Sequence, residues 1–193
     1  GGLRVPAIIE WPARIKEPGF TPFPANTSDI FPTLLEIVGV KADADRPLDG
    51  ISLVPVLADQ EKNRTKPMGF WHYPAGGIRT PSAQWMAELL EAQKNGNMVG
   101  DSIRLRLDDI QIRDQYSLDT LAGHAAWLDW PWKLHRIQDK DGEVRWELYQ
   151  LEMDPMESKN LANNETEKAG EMKSGLEAWQ RSVVRSMYGM DYD

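Results

Sequence analysis

Residues 132–137 and 144–151 read as two strands, with Asp139-Lys140-Asp141-Gly142 between them. An Asp-Gly pair is a strong hairpin signal, because glycine accepts the positive φ that a tight reversal demands. Such a hairpin commits this part of the chain to an antiparallel sheet, one face of which must be covered. Residues 165–187 offer the cover. Met172, Leu176, Trp179, Val183 and Met187 recur there at intervals of three or four and form one packing stripe of a helix. Residues 68–73 add a strand, 103–112 alternate like an exposed strand, and 83–94 form a surface helix between Pro81 and Gly96. Beyond Met68 the class is α+β, a small antiparallel sheet with a C-terminal helix across it.

The stretch before Met68 has a different character. Residues 5–11 (VPAIIEW) are a short apolar run of the kind found in central parallel strands, covered on both faces. No βαβ unit follows, so the rest of that strand's sheet is expected upstream. Residues 27–38 read as a helix, capped by Thr27 or Ser28, with Asp29 suited to the positive end of the dipole. Pro32 is tolerated in the first turn, and Gly39 suits the stop. Ile30, Leu34, Ile37 and Val38 share one face. Residues 41–50 form a polar turn, and 51–57 a loop or short helix around Pro55. The charged stretch 61–67 lacks apolar periodicity and marks a boundary. Residues 1–60 are therefore expected to be the tail of an α/β domain, contributing an edge strand and a helix, and 61–193 a C-terminal subdomain.

The formal net charge of −8, from 22 Lys plus Arg against 30 Asp plus Glu, disfavours nucleic acid or an anionic membrane as partner. No apolar run approaches the roughly 20 residues that span a bilayer. The absence of cysteine removes disulfides, thiolate metal sites and a cysteine nucleophile together. Trp71, Trp127, Trp130, Trp132 and Trp146 fall in or beside strand-like segments. Core anchoring is their expected role, with carbohydrate stacking as the alternative.

Four separated segments carry a family resemblance. They are Gly1-Gly2-Leu3-Arg4-Val5-Pro6-Ala7-Ile8-Ile9-Glu10-Trp11-Pro12, then Ser28-Asp29-Ile30-Phe31-Pro32-Thr33-Leu34-Leu35, then Leu48-Asp49-Gly50-Ile51-Ser52-Leu53 with Pro55-Val56-Leu57. The last comprises Trp132-Lys133-Leu134, Glu147-Leu148-Tyr149-Gln150-Leu151-Glu152-Met153-Asp154-Pro155 and Asn160-Leu161-Ala162. In this order the chain resembles the C-terminal portion of the sulfatase family, arylsulfatase-like members of the alkaline phosphatase superfamily. The first segment is truncated at its left relative to the family's, and the chain opens without an initiator Met, which leaves open whether a signal was removed or never included. The resemblance implies an α/β parent hydrolysing sulfate esters, aryl sulfate or sulfated carbohydrate, in a periplasmic or extracellular setting. It also implies a formylglycine nucleophile and calcium in that parent. Both belong to motifs upstream of Gly1, so the chain is expected to be inactive alone, to hold no catalytic or metal residues and to partner an upstream catalytic domain. The alternatives are a portion of a related phosphodiesterase or phosphatase, and a non-catalytic binding module derived from a sulfatase tail.

Substrate contact is expected from three residues. His72, in Phe70-Trp71-His72-Tyr73-Pro74, resembles a segment of bacterial polysaccharide sulfatases whose following loop nears the active-site mouth; a packed histidine is the competing reading. Arg79 continues that loop and suits an anionic group, against a solvated surface arginine. His124 precedes a strand and is placed at the same mouth. His135 and Arg4 are expected to be structural. Asp108-Asp109 reads as a strand end rather than a metal pair, and Asp139-Lys140-Asp141-Gly142 as a turn rather than a calcium loop. The Asn26, Asn63 and Asn164 sequons carry little weight without a secretory context.

Overall fold

A computed structural model describes residues 5–42, 48–72, 82–96 and 120–190. Its elements are α1 (Ile30–Val38), α2 (Val54–Leu57), β1 (Met68–His72), α3 (Ser82–Lys94), β2 (His124–Asp129), β3 (Trp132–Gln138), β4 (Val144–Gln150) and α4 (Thr166–Met187). A single 3-10 turn, Thr27–Asp29, leads into α1. The strands form one antiparallel sheet in the order β1-β2-β3-β4. The predicted hairpin is β3–β4, and the strand, surface-helix and C-terminal-helix readings of residues 68–73, 83–94 and 165–187 correspond to β1, α3 and α4. The strand reading of residues 103–112 lies outside the described residues.

The residues between β3 and β4 are committed to their turn. Asp139 Oδ1 accepts from the amides of Asp141 and Glu143 at 2.9 Å each, and Gly142 holds φ +89°. A carboxylate oxygen that accepts from two backbone donors fixes the hairpin, as expected.

Helix α4 covers one face of the sheet. Side chains alternate along each strand, so Gly69, Trp127, Leu134, Trp146 and Leu148 share that face. Glycine is needed at Gly69 because a Cβ there would lie 2.3 Å from the Trp179 indole. Trp127 and Trp179 meet with ring centroids 6.1 Å apart. Leu134, Leu148 and Met172 form the buried centre, and Trp127, Trp132 and Trp146 pack around it. These tryptophans are partly buried against the core.

The stripe that faces the sheet differs from the predicted one. The buried positions of α4 are Met172, Leu176, Gln180 and Val184, a strict i+4 row. Val183 is half-buried and Met187 is exposed. An apolar-only reading could not place Gln180 in the row. Its amide is fully buried with both polar atoms unpaired among the described residues.

The N-terminal third is organised by one carboxylate. Asp29 accepts from the Asn26 amide at 2.8 Å, the Ile51 amide at 2.8 Å, and Arg64 Nη1 and Nη2 at 2.8 and 3.0 Å. Thr33 Oγ1 donates to the Asp29 carbonyl at 2.6 Å and accepts from the Leu53 amide at 2.9 Å. The cap is Asn26, whose Oδ1 accepts from the Ser28 amide, rather than Thr27 or Ser28. The competition is decided by Asp29, which folds inward and pulls the Asn26 amide with it. Gly39 closes α1 at φ +71° as expected. Residues 54–57 are the short helix around Pro55.

Residues 5–11 do not form the expected strand. They are irregular, and Val5, Ile8 and Ile9 are 77, 95 and 51% exposed. A parallel strand is defined by hydrogen bonds to neighbours, and the described residues offer none. Likewise Ile30, Leu34, Ile37 and Val38 share a face of α1, and that face is open.

Two substitutions test this packing in opposite directions. A Cβ at Gly50 would stand 2.0 Å from the Ser28 carbonyl oxygen, where backbone must yield. Gly50→Ala is therefore expected to destabilise by about 3 kcal/mol. Gln180→Met keeps the volume and removes two unpaired polar atoms, and is expected to stabilise by about 1 kcal/mol. Urea unfolding of both variants checks the signs, and a stabilised Gly50→Ala or a destabilised Gln180→Met contradicts the packing described.

Candidate functional site

The second face of the sheet is polar and carries all three histidines. Register alone puts them there. His72 is directly opposite His124, Ala126 is opposite both Phe70 and His135, and His135 is opposite Glu147. Parity then aligns His72, His124, His135, Lys133, Glu147 and Tyr149 on the side away from α4.

His72 and His124 terminate β1 and β2, and both are exposed. The backbone behind the pair is held in place. Trp71 Nε1 donates to the Ala122 carbonyl at 2.8 Å, and the Gly123 amide donates to Gln138 Oε1 at 2.6 Å. Arg79, the third predicted contact, lies outside the described residues, as do Arg4 and Asp108-Asp109.

His135 belongs to a separate, tightly coupled group. Glu157 Oε1 accepts from Lys133 Nζ at 2.7 Å, and Glu157 Oε2 lies 2.8 Å from His135 Nε2. An ionised carboxylate only accepts, so Nε2 carries the proton there. The His135 ring meets Tyr149 edge-on at 5.8 Å, and Tyr149 Oη donates to Glu147 Oε2 at 2.9 Å. Lys133 is only 4% exposed, and Glu157 is its ion-pair partner.

Glu157 reaches this position through a turn built by Asp154. The Asp154 carboxylate accepts from the Ser158 amide, Ser158 Oγ and the Lys159 amide at 3.0, 2.9 and 2.8 Å. Glu157 sits at φ +57°, a left-handed conformation unusual for a side chain with a Cβ. Asn160 Oδ1 then accepts from the Leu148 and Ala162 amides, tying the exit segment to the outer edge of β4. His135 lies within this coupled group and away from the His72–His124 pair in register. Lys133, Glu157 and Tyr149 were missed as a group. The available signal was Lys133 and His135 at alternate positions of one strand, two polar side chains on the same face.

Burial lowers the pKa of the His135 imidazolium, and Lys133 adds to the effect against the opposing pull of Glu157. Burial alone would raise Glu157, yet hydrogen bonds from Lys133 and His135 hold it below the ordinary glutamate value. Tyr149 is pushed up to about 12, first by burial and then by its bond to Glu147.

The chain has no cysteine, and no serine stands in the expected formylglycine motif. Among the described residues no three His, Asp or Glu side chains converge as a metal site. Asp29 accepts from Arg64 and two amides, and Asp139 Oδ1 from two amides of its turn. No set of oxygen ligands among the described residues fits a calcium centre. A hollow of about 350 Å³ beside α1, lined by Pro32, Leu35, Gly39 and Val40 among others, is apolar and remote in sequence from the histidines. No helix among the described residues is long and apolar enough to cross a membrane.

No protein-family model matches the chain. Individual proteins do. Human arylsulfatase D is 36% identical over 85 residues, covering 44% of this chain and 14% of that protein. Human steryl-sulfatase is 36% identical over 73 residues, 38% of this chain and 12% of that protein. A sulfatase of Formosa agariphila is 37% identical over 83 residues, 38% of this chain and 14% of that protein. The chain is sulfatase-related. The matched stretch spans about one seventh of these relatives or less, which fits the C-terminal portion of such a protein. Among solved structures, BT4656 in complex with its substrate D-glucosamine-2-N,6-O-disulfate aligns with TM-score 0.43 at 20% identity, over 80% of this chain and 24% of that one. The phosphonate monoester hydrolase of Agrobacterium radiobacter aligns with TM-score 0.39 at 22% identity, over the same shares.

The coupled group gives this sulfatase-related chain a defined response to acid. His135 titrates lower folded than unfolded, so the unfolded chain takes up that proton first as pH falls below about 6.5. Glu157 is also depressed, so its stabilisation is whole above about 4.5 and is lost as pH falls through its folded value. Both act in one direction, and stability should decline on acidification in two stages. His135→Gln keeps a donor for Glu157 and should abolish the upper stage, whose slope is at most about 1.4 kcal/mol per pH unit. Urea midpoints between pH 7 and 5 that fall equally in both proteins would contradict the assignment.

Proposed function

We propose that this chain is the C-terminal portion of a sulfatase that hydrolyses sulfate esters, an aryl sulfate or a sulfated carbohydrate. The observation that carries the reading is the 36–37% identity to arylsulfatase D, steryl-sulfatase and the Formosa agariphila sulfatase. These relatives favour sulfuryl over phosphoryl transfer. In this reading the nucleophile and the metal site come from an upstream catalytic domain, because the described residues supply neither.

Two surfaces support a division of labour. The open apolar flank of Val5, Ile8 and Ile9, with Ile30, Leu34, Ile37 and Val38 of α1, suits the catalytic domain. The polar sheet face suits substrate. His72 and His124 end two strands side by side, with the segment that contains Arg79 beginning directly after β1. Imidazoles and a guanidinium there would donate to sulfate oxygens or sugar hydroxyls and orient the substrate, leaving bond cleavage to the catalytic domain. Strand ends on a rigid sheet are well placed for this. A binding module without any catalytic domain would leave the apolar flank unexplained.

The test is His72→Ala in the full-length enzyme, assayed beside His135→Ala. Loss of one hydrogen bond to a charged group should cost about 1.5–3 kcal/mol, roughly ten- to a hundredfold in kcat/KM. His135→Ala should lower the melting temperature and spare the efficiency of whatever remains folded. Wild-type efficiency in a normally folded His72→Ala enzyme would remove His72 from recognition.

A further inference from the structure

We propose that His72 and His124 together form a binding site for a borderline divalent transition cation, Zn²⁺, Ni²⁺ or Cu²⁺. The argument begins from register. The two residues are direct partners across an antiparallel pair, so their Cβ atoms are about 4.5–5.5 Å apart and project from the same face. Two imidazoles at that separation can close on one ion. Both are exposed, and no hydrogen bond joins either ring to another described residue.

The backbone that carries them is fixed on both sides. Five successive partner pairs hold β1 against β2, and the Trp71 indole bonds to Ala122 directly behind the two histidines. Gly123, which precedes His124, is held by Gln138 and by Arg136 Nη1. Little freedom is lost when the two rings share a ligand, which is the physical basis of chelation. Neutral imidazole suits zinc, copper and nickel, whereas calcium asks for oxygen ligands that this pair lacks. His135 is excluded, because its Nε2 is occupied by Glu157 and its ring packs against Tyr149.

These two imidazoles are the ligands that the described residues supply, and metal binding at an imidazole competes with its protonation. The inference rests on strand register and is independent of the sulfate reading, so either can fail alone.

The experiment is calorimetric titration of tag-free 193-residue chain with Ni²⁺, above the ordinary histidine pKa of about 6.5. One ion per chain is expected. His72→Ala and His124→Ala should each weaken binding by roughly ten- to a hundredfold or more, the range that even outer-shell changes reach. The double variant should bind no worse than about the weaker single variant, since either change destroys the chelate. His135→Gln should bind like wild type. Ni²⁺ should also raise the melting temperature of the wild-type chain and not that of either alanine variant, because only the folded register brings the rings together. No binding by the wild-type chain, wild-type affinity in either alanine variant, or loss of binding in His135→Gln would overturn the proposal.

Discussion

Helix α4 lies against the sheet where Gly69 leaves room for the Trp179 indole and Trp127 packs beside Gly175. This contact determines the character of both faces. One helix can dehydrate only one face, and strand alternation sends every second residue to the other. Leu134, Leu148 and the tryptophans go inward with α4, and Lys133, Tyr149 and the three histidines go to the opposite side. A shift of one residue in β1 would separate His72 from His124 and drive Phe70 into the helix. The candidate site thus depends on a packing contact made on the far side of the sheet.

Carboxylates hold the rest of the chain together, and each is used as a multiple acceptor. Asp29 is fully buried and held ionised, since its bonds from Arg64, Asn26 and Ile51 outweigh the rise that burial alone would cause. It joins the start of α1 to residues 51–53 and to Arg64, three segments far apart in sequence. Glu157 does the same between the turn after β4 and the polar sheet face. Asp154 and Asn160 fasten the segment between β4 and α4. A buried ion pair contributes less to net stability than its geometry suggests, but leaving one partner uncompensated is severe. That asymmetry makes these residues specifiers of arrangement.

The segments that resemble sulfatases acquire a physical meaning from this. Ser28-Asp29-Ile30-Phe31-Pro32-Thr33 and Leu48-Asp49-Gly50-Ile51-Ser52-Leu53 form one clamp, closed by Asp29 and Thr33 and possible only with glycine at Gly50. Trp132-Lys133-Leu134, Asp154-Pro155 and Asn160-Leu161-Ala162 belong to a second, closed by Asn160 and by Glu157, which lies between the latter two segments. The shared pattern is a pattern of fastening, and the polar face between the fasteners is where recognition is proposed to occur.

The sequence by itself determined the local elements of this protein. The Asp-Gly turn, the glycine stop after α1, the short helix around Pro55, the β1 and β4 strands and the long C-terminal helix all follow from backbone preference and side-chain periodicity within a few residues. Residues 1–12, 28–35, 48–53, 55–57, 132–134, 147–155 and 160–162 also carried the sulfatase resemblance. Tertiary structure decided everything that depends on distant partners. It placed Gln180 in the buried row of α4, because the row is defined by the sheet opposite and not by hydrophobicity. It took Arg64 from a charged stretch and buried it on Asp29, a choice invisible locally since nothing near Arg64 in sequence distinguishes it from a surface arginine. It left residues 5–11 without the strand their composition favours, because a strand exists only when another backbone accepts its hydrogen bonds. And it set His72 beside His124, 52 residues apart in sequence, because antiparallel register is fixed by which faces must be dry.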